Sequence, residues 1–300
     1  MLRVFLTGAT GYIGSAVLDA LVRRGHEVTA MVRDPERFVD GAAETVKPAL
    51  GSLREPSGWI RKLSGHDVFI HAAFDSSAHG PAADRAAIDT IVGEARRVAR
   101  RGRRVAVIYT SGVWVLGNTA EPAGEDAPLQ PASLVAFRPA HEQAVLAAQD
   151  DGIRTVVIRP GIVFGGARGI VGEIFRGASD GLVRVTGSGD NHWPLVYHRD
   201  LADLYVRLAE HADVSGVFHA VDESDQTVNE IVQSIAEQMP SMPDVRHVPI
   251  EEAHAKQGAY AEAITLDQIV RCPRSRAIGW TPLHRSVSAN VPRLYEEWRR

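Results

Sequence analysis

Near the start of the chain, Thr7-Gly8-Ala9-Thr10-Gly11-Tyr12-Ile13-Gly14 overlaps the end of the apolar run 3–7 and opens a helical pattern. Glycines at this spacing have separable tasks: Gly8 lets the chain turn tightly, Gly11 lets the backbone approach a diphosphate, and Gly14 lets the helix pack on the strand. The helix N-terminus then faces the negative charge. Strand, helix and second strand all fall within about 30 residues, the setting this spacing needs in order to bind a dinucleotide. Thr7, Gly8, Thr10, Gly11, Tyr12, Ile13 and Gly14 are therefore the first candidate binding residues. At the end of the second strand the chain reads Val32-Arg33-Asp34-Pro35. An acidic side chain there suits free ribose hydroxyls, whereas a guanidinium suits a 2′-phosphate. Asp34-Pro35 reads as a helix N-cap and first-turn pair. Arg33 thus favours NADP(H) over NAD.

Such residues need a scaffold that presents them at one edge. Strands are expected at 3–7, 27–32, 67–72, 104–110 and 155–159, each followed by a loop and then a segment with apolar spacing of three or four. Several of these runs are apolar on both faces, as strands between two helix layers should be. The alternation predicts an α/β fold, a doubly wound parallel sheet of Rossmann type. After Pro160 the texture changes: glycines punctuate short apolar pieces, followed by strand patterns at 183–185, 193–198 and 216–220 and helices over 200–211, 227–239 and 287–298. The expected division is a dinucleotide-binding domain over 1–160 with about 193–222. A smaller α/β substrate-binding domain takes about 161–192 and 223–300.

Composition narrows the function classes. A length of 300 residues, with 45% hydrophobic and 23% charged residues, fits a globular protein of two domains. No apolar stretch approaches the ~18 residues of a membrane span. The N-terminus runs straight into the glycine-rich turn, which leaves no room for a secretion leader and points to the cytoplasm. A single cysteine, Cys272, forms no internal disulfide and belongs to no metal cluster. A net charge of −4 gives no argument for nucleic acid or an acidic membrane, so the expected partner is a small-molecule substrate. The one basic run, Arg96, Arg97, Arg100, Arg101, Arg103 and Arg104, reads as a solvated helix end whose cations complement the dipole.

Beyond the glycine loop, the chain carries His71-Ala72-Ala73, Tyr109-Thr110-Ser111-Gly112, Arg159-Pro160-Gly161-Ile162-Val163-Phe164-Gly165, His198-Arg199-Asp200-Leu201-Ala202 and Ile278-Gly279-Trp280-Thr281-Pro282. Together these resemble the short-chain dehydrogenase/reductase superfamily, in its extended branch of NAD(P)-dependent epimerases, dehydratases and reductases. The resemblance spans almost the whole chain. It implies that Ala72, Ala73, Pro160 and Val163 line the adenine and nicotinamide sides of the cofactor. It also implies a homodimer through the helices after the fourth and fifth strands.

The superfamily pairs a Ser or Thr after the fifth strand with Tyr-x-x-x-Lys on the next helix, the ammonium lowering the tyrosine pKa toward neutrality. Here no tyrosine lies between 110 and 196 and no lysine between 63 and 255, so no register restores that pair. Matching Glu142-Gln143 to the acidic residue that follows the motif places Leu134 at the tyrosine position and Arg138 at the lysine position. Arg138 can hold the nicotinamide ribose, but a guanidinium cannot relay a proton. Ser111 stays a candidate for the substrate oxygen, next to Gly112 at the usual hydroxyl position. The candidate proton donors are His141, Tyr109, Tyr197, His192, His198 and His71. Each has a plainer reading: His141 on a solvated helix surface, Tyr109 in the core, His198 bracing a loop, His71 packed beside the cofactor, and His192 and Tyr197 lining the cleft mouth. Three functions stay open: an NADP(H)-dependent oxidoreductase acting on a small carbonyl, alcohol or sugar-like substrate, a nucleotide-binding sensor or scaffold, and a non-redox isomerase, lyase or cyclase.

Overall fold

The computed structural model describes residues 1–34, 45–119 and 121–300. The first part of the chain forms β1 (Arg3–Thr7), α1 (Tyr12–Arg23), β2 (Glu27–Val32), β3 (Val46–Leu50) and β4 (Val68–His71). It continues with α2 (Gly80–Ala99), β5 (Val105–Thr110), α3 (Arg138–Leu146) and β6 (Ile153–Pro160). Then come β7 (Ile162–Phe164), α4 (Gly169–Ser179), β8 (Leu182–Thr186), β9 (His192–Trp193), β10 (Leu195–Tyr197), α5 (His198–Glu210) and β11 (Gly216–Ala220). The remainder includes β12 (Gln226–Thr227), α6 (Val228–Gln238), β13 (Asp244–Val248), α7 (Ile250–Gln257), α8 (Ala259–Ile264), α9 (Pro273–Ala277) and α10 (Val291–Trp298).

Seven strands make the central sheet, in the order β11-β6-β5-β4-β1-β2-β3. Every pairing from β3 through β6 is parallel. The chain thus winds outward from β1 in both directions, the doubly wound α/β arrangement that the strand and helix alternation predicts. The register sets Thr7 beside His71 and His71 beside Tyr109, which aligns the carboxyl ends of β1, β4 and β5. Strand β3 is absent from the sequence expectations. Its run Val46-Lys47-Pro48-Ala49-Leu50 carries a proline, which an edge strand tolerates because one of its sides needs no ladder hydrogen bond. The helix expected to start after Asp34 lies outside the described residues. The basic run falls as read: Arg96 and Arg97 occupy the last turn of α2, with Arg97 paired to Glu94, and Arg103 pairs with Asp67 beyond it.

The chain divides into two compact units, one of 1–111, 137–158 and 201–218, the other of 112–136, 159–200 and 219–300. The first has a core of Phe5, Phe69, Ile88, Ile91, Val107 and Val157. The second has its own, around Phe164, Phe175, Trp193, Ile231, Ile235 and Leu294. Among the described residues no helix is long and apolar enough to cross a membrane.

One buried histidine makes the second unit acid-sensitive. His219 on β11 is fully enclosed, its Nδ1–H donates to the Arg271 carbonyl, and burial lowers its pKa to about 4. The folded state therefore resists a proton that the unfolded chain accepts below the ordinary histidine value, so stability falls as pH drops from neutrality toward 4. From this group alone, about 2 kcal/mol is expected to be lost between pH 7 and pH 5. Urea unfolding of His219→Gln, which keeps a donor toward Arg271, should show a pH slope shallower by that amount. An unchanged slope would remove His219 from the account.

Candidate cofactor cradle and acid–base cluster

The glycine loop is shaped by close approach. Gly8 has φ +80°, and a Cβ there would lie 2.7 Å from the backbone of Ala72 and Ala73, so β4 closes over it. A Cβ on Gly14 would lie 2.0 Å from the Gly8 carbonyl oxygen, which ties the start of α1 to the turn. Gly11 is the N-cap of α1 and donates its N–H to the Gly8 carbonyl. No side chain caps this helix, and no acidic residue occupies its first turn. The positive dipole end of α1 faces the turn and favours an anion there. A dinucleotide diphosphate fits this cradle: it needs small residues for close approach and a positive helix end without acidic neighbours, and the loop has both.

Thr7 has a different place from the rest of the loop. It is fully buried, its Oγ1 accepts from the Ala73 N–H at 3.3 Å, and it lies 2.7 Å from His71 Nδ1. The hydroxyl is spent inside the protein, so Thr7 positions the turn. Tyr12 and Ile13 are half-buried in the first turn of α1, Thr10 is exposed, and Ala72 and Ala73 are half-buried after β4. Arg33 stands exposed just past the end of β2. Pro160 and Val163 group with the second unit, Pro160 ending β6 and Val163 within β7.

A buried polar cluster lies in the first unit, which also holds the glycine loop. Asp84 on α2 is 1% exposed; its Oδ1 lies 3.1 Å from His71 Nε2, and its Oδ2 lies 2.7 Å from both His141 Nδ1 and the Tyr109 hydroxyl. Burial works against the charge, but hydrogen bonds from His141, His71 and Tyr109 hold the Asp84 carboxyl well below the usual carboxylate range. Tyr109 also accepts from Arg138 Nη1, which bonds the Thr110 carbonyl at 2.9 Å. Arg138 lies 5.1 Å from the Phe74 ring centre and 5.3 Å from that of Phe137, rings that themselves stack. Thr110 Oγ1 pairs with the Tyr205 hydroxyl.

The structure sorts the candidate proton donors. Burial raises the Tyr109 phenol; Arg138 pulls the other way without prevailing, and Asp84 adds to the rise. Tyr109 therefore keeps its proton at neutral pH, donating it to Asp84 while its oxygen accepts from Arg138. Ser111 is buried and donates to Glu142 Oε1, also buried. His141 does not lie on a solvated helix surface. Only 6% exposed, it turns toward α2 because Asp84 accepts from its Nδ1. Its Nε2 has no hydrogen-bond partner among the described residues. His71 is buried as read, between Thr7 and Asp84.

The second-unit candidates are occupied elsewhere. Tyr197 is wholly enclosed; its hydroxyl donates to Glu297, accepts from Arg293, and is pushed up to about 12 by burial and by Glu297. It has no surface to offer a ligand. His192 bonds Asp267 through its backbone N–H and Nδ1. His198 is the first residue of α5 and rests 4.6 Å from the Tyr197 ring, with burial lowering its pKa. The same unit holds a cavity of about 400 Å³ lined by Val183, Val185, Trp193, Tyr260, Arg184 and Arg246 among others.

Asp84 is the residue that sequence reasoning missed. The signal was present: Ala83, Ala87, Ile88 and Ile91 mark the buried stripe of α2, and Asp84 lies four residues before Ile88 on that stripe. An acid on an apolar face needs partners.

Comparison with known proteins fixes the family. The model of the NAD dependent epimerase/dehydratase family matches residues 4–221. The chain belongs to this family. Within the NAD dependent epimerase/dehydratase family, the chain is 29% identical to an uncharacterised protein of Schizosaccharomyces pombe over 298 residues, covering 97% of this chain and 98% of the other. It is 30% identical to a 2-alkyl-3-oxoalkanoate reductase of Stenotrophomonas maltophilia over 216 residues, 65% of this chain and 62% of that one. Among solved structures, it superimposes on the UDP-glucose 4-epimerase of Thermus thermophilus in complex with NAD with a TM-score of 0.81, at 20% identity and 99% coverage of both chains. Human epimerase family protein SDR39U1 with NADPH gives 0.74 at 21% identity, covering 98% and 99%. These last two likenesses establish the fold, which is the family's NAD(P)-binding Rossmann architecture.

Proposed function

We propose that this chain is an NADP(H)-dependent oxidoreductase that interconverts a small carbonyl compound and its alcohol, with a proton relay that uses neither tyrosine nor lysine. The observation that carries the reading is a titratable imidazole, His141, held by a buried carboxylate in the unit that contains the dinucleotide cradle. A nicotinamide dinucleotide held by that cradle supplies or takes up the hydride. Gly8, Gly11 and Gly14 admit its diphosphate to the N-terminus of α1. Arg33 meets the 2′-phosphate, a role its exposed place after β2 supports and a neutral side chain would not fill. Arg138, fixed by Tyr109 and Thr110, supplies the positive charge at the nicotinamide ribose that the family's lysine gives. The 2-alkyl-3-oxoalkanoate reductase among the relatives makes 3-oxo acids and esters the first substrates to try.

The cofactor half of this reading is tested by titrating NADPH and NADH into the wild type and Arg33→Ala. A selective weakening of NADPH by ~10-fold or more is expected, the size of a lost charge-assisted hydrogen bond. Equal weakening of both nucleotides would reject Arg33 as the 2′-phosphate ligand. A second reading, a nucleotide-binding sensor without turnover, is favoured by the missing tyrosine and lysine. It predicts clearly different affinities for NADP⁺ and NADPH and no change in the reduced-cofactor absorbance with any carbonyl.

A further inference from the structure

We propose that Asp84 is the positioning residue of the proton relay: it fixes His141 as the Nδ1–H tautomer, with Nε2 turned to the ligand, while His71 and Tyr109 hold the carboxylate in place. This assignment rests on the oxidoreductase reading for its chemical purpose, but its geometry stands independently.

The hydrogen accounting leaves one arrangement. Arg138 has no acceptor atom, so it donates to the Tyr109 oxygen, and the Tyr109 proton must point to Asp84 Oδ2. That same oxygen faces His141 Nδ1, and an ionised carboxylate only accepts, so Nδ1 carries the hydrogen. On the other oxygen, His71 Nε2 donates in the same way. His71 Nδ1 then accepts from the Thr7 hydroxyl, whose oxygen takes the Ala73 N–H. Each donor in this chain of contacts from Ala73 to Arg138 is matched, and the three hydrogen bonds offset the cost of enclosing the charge on Asp84. The one polar atom of the chain of contacts left over is His141 Nε2. The His141 side chain is 6% exposed, and no described residue bonds its Nε2. Phe137 packs edge-on against the imidazole, at 5.1 Å between ring centres, and limits its tilt.

An imidazole so held moves one proton at one atom. In the reducing direction Nε2–H gives its proton to the carbonyl oxygen, and the electron pair left on Nε2 remains there until solvent returns a proton. In the oxidising direction Nε2 takes the proton of the alcohol. Asp84 stays ionised throughout and stabilises the charged ring.

The test is the ¹⁵N spectrum of uniformly labelled histidine at neutral pH, with the His141 signals assigned by their loss in His141→Gln. In the wild type the expected signature is a hydrogen fixed on Nδ1, with Nε2 as the nitrogen that gains and loses its proton. In Asp84→Asn, an isosteric change, that preference should collapse to a mixture, while NADPH affinity is unchanged. A wild-type His141 with Nδ1 bare and its hydrogen on Nε2, or a tautomer unaltered in Asp84→Asn, would overturn the assignment. The wild-type spectrum decides even if the variant does not fold. Turnover adds a second arm: kcat of Asp84→Asn should fall ~10²- to 10⁴-fold, as it does when a catalytic histidine loses its orienting carboxylate. If the wild type reduces a 3-oxo ester with NADPH and Asp84→Asn does so as fast, the assignment falls and the oxidoreductase reading survives. If the wild type reduces nothing but shows the Asp84-dependent tautomer, the oxidoreductase reading falls and the assignment stands.

Discussion

Gly14→Ala is expected to weaken NADPH binding by ~100-fold or more, equivalent to about 3 kcal/mol. The added Cβ would lie 2.0 Å from the Gly8 carbonyl oxygen and 2.6 Å from its carbon, and both atoms are backbone in a turn that β4 already covers. Neither partner can swing aside as a side chain would. The start of α1 must therefore move away from the turn by roughly an ångström, and its leading N–H groups leave the diphosphate with it. Gly25→Ala is the matched control. Gly25 has φ +77° with no atom within 4 Å of a built Cβ, so alanine there costs about 1 kcal/mol of stability through backbone strain alone. Its NADPH affinity should equal that of the wild type. Calorimetric titration of the two variants, with circular dichroism to show that both are folded, separates the outcomes. Wild-type affinity in folded Gly14→Ala would show that the dinucleotide is held elsewhere.

The second large effect concerns turnover. His141→Ala should lower kcat by ~10²- to 10⁴-fold with little change in NADPH affinity, because a positioned acid or base is worth that much and contributes nothing to holding the diphosphate. Tyr197→Phe should leave kcat/KM at the wild-type value. Its hydroxyl is committed to Glu297 and Arg293 inside the second unit, so the loss appears as about 1 to 2 kcal/mol of stability. Steady-state rates with a 3-oxo ester would settle this pair. A crippled Tyr197→Phe beside an active His141→Ala would reverse the roles given to the two residues.

The contrast between these two candidates shows what the sequence can and cannot convey. Strands β1 and β2 were legible to the residue and the helix between them in kind, because the period, the glycines and the β-branched runs are all local. The burial of His141 was not, since it depends on α3 meeting α2 at Asp84, a contact between residues 57 apart in the chain. Nor was the enclosure of Tyr197, whose partner Glu297 is 100 residues away. Strand β3 stayed hidden because Pro48 argues against a strand wherever the strand's place at the sheet edge is unknown. Asp84 was overlooked although its helix position marks it, because an acid on an apolar stripe becomes meaningful only once its partners on β4, β5 and α3 are in place.

The central claim is that a dinucleotide bound in the β1–α1 cradle exchanges hydride with a carbonyl substrate. The most direct measurement is label transfer: NADPH carrying deuterium on one face of C4 is incubated with the purified protein and a set of small ketones, aldehydes and 3-oxo esters, and products are examined by mass spectrometry. The account predicts deuterium on the carbinol carbon of at least one product, in step with the NADP⁺ formed. Tight NADPH binding with no label in any product across the set would contradict it.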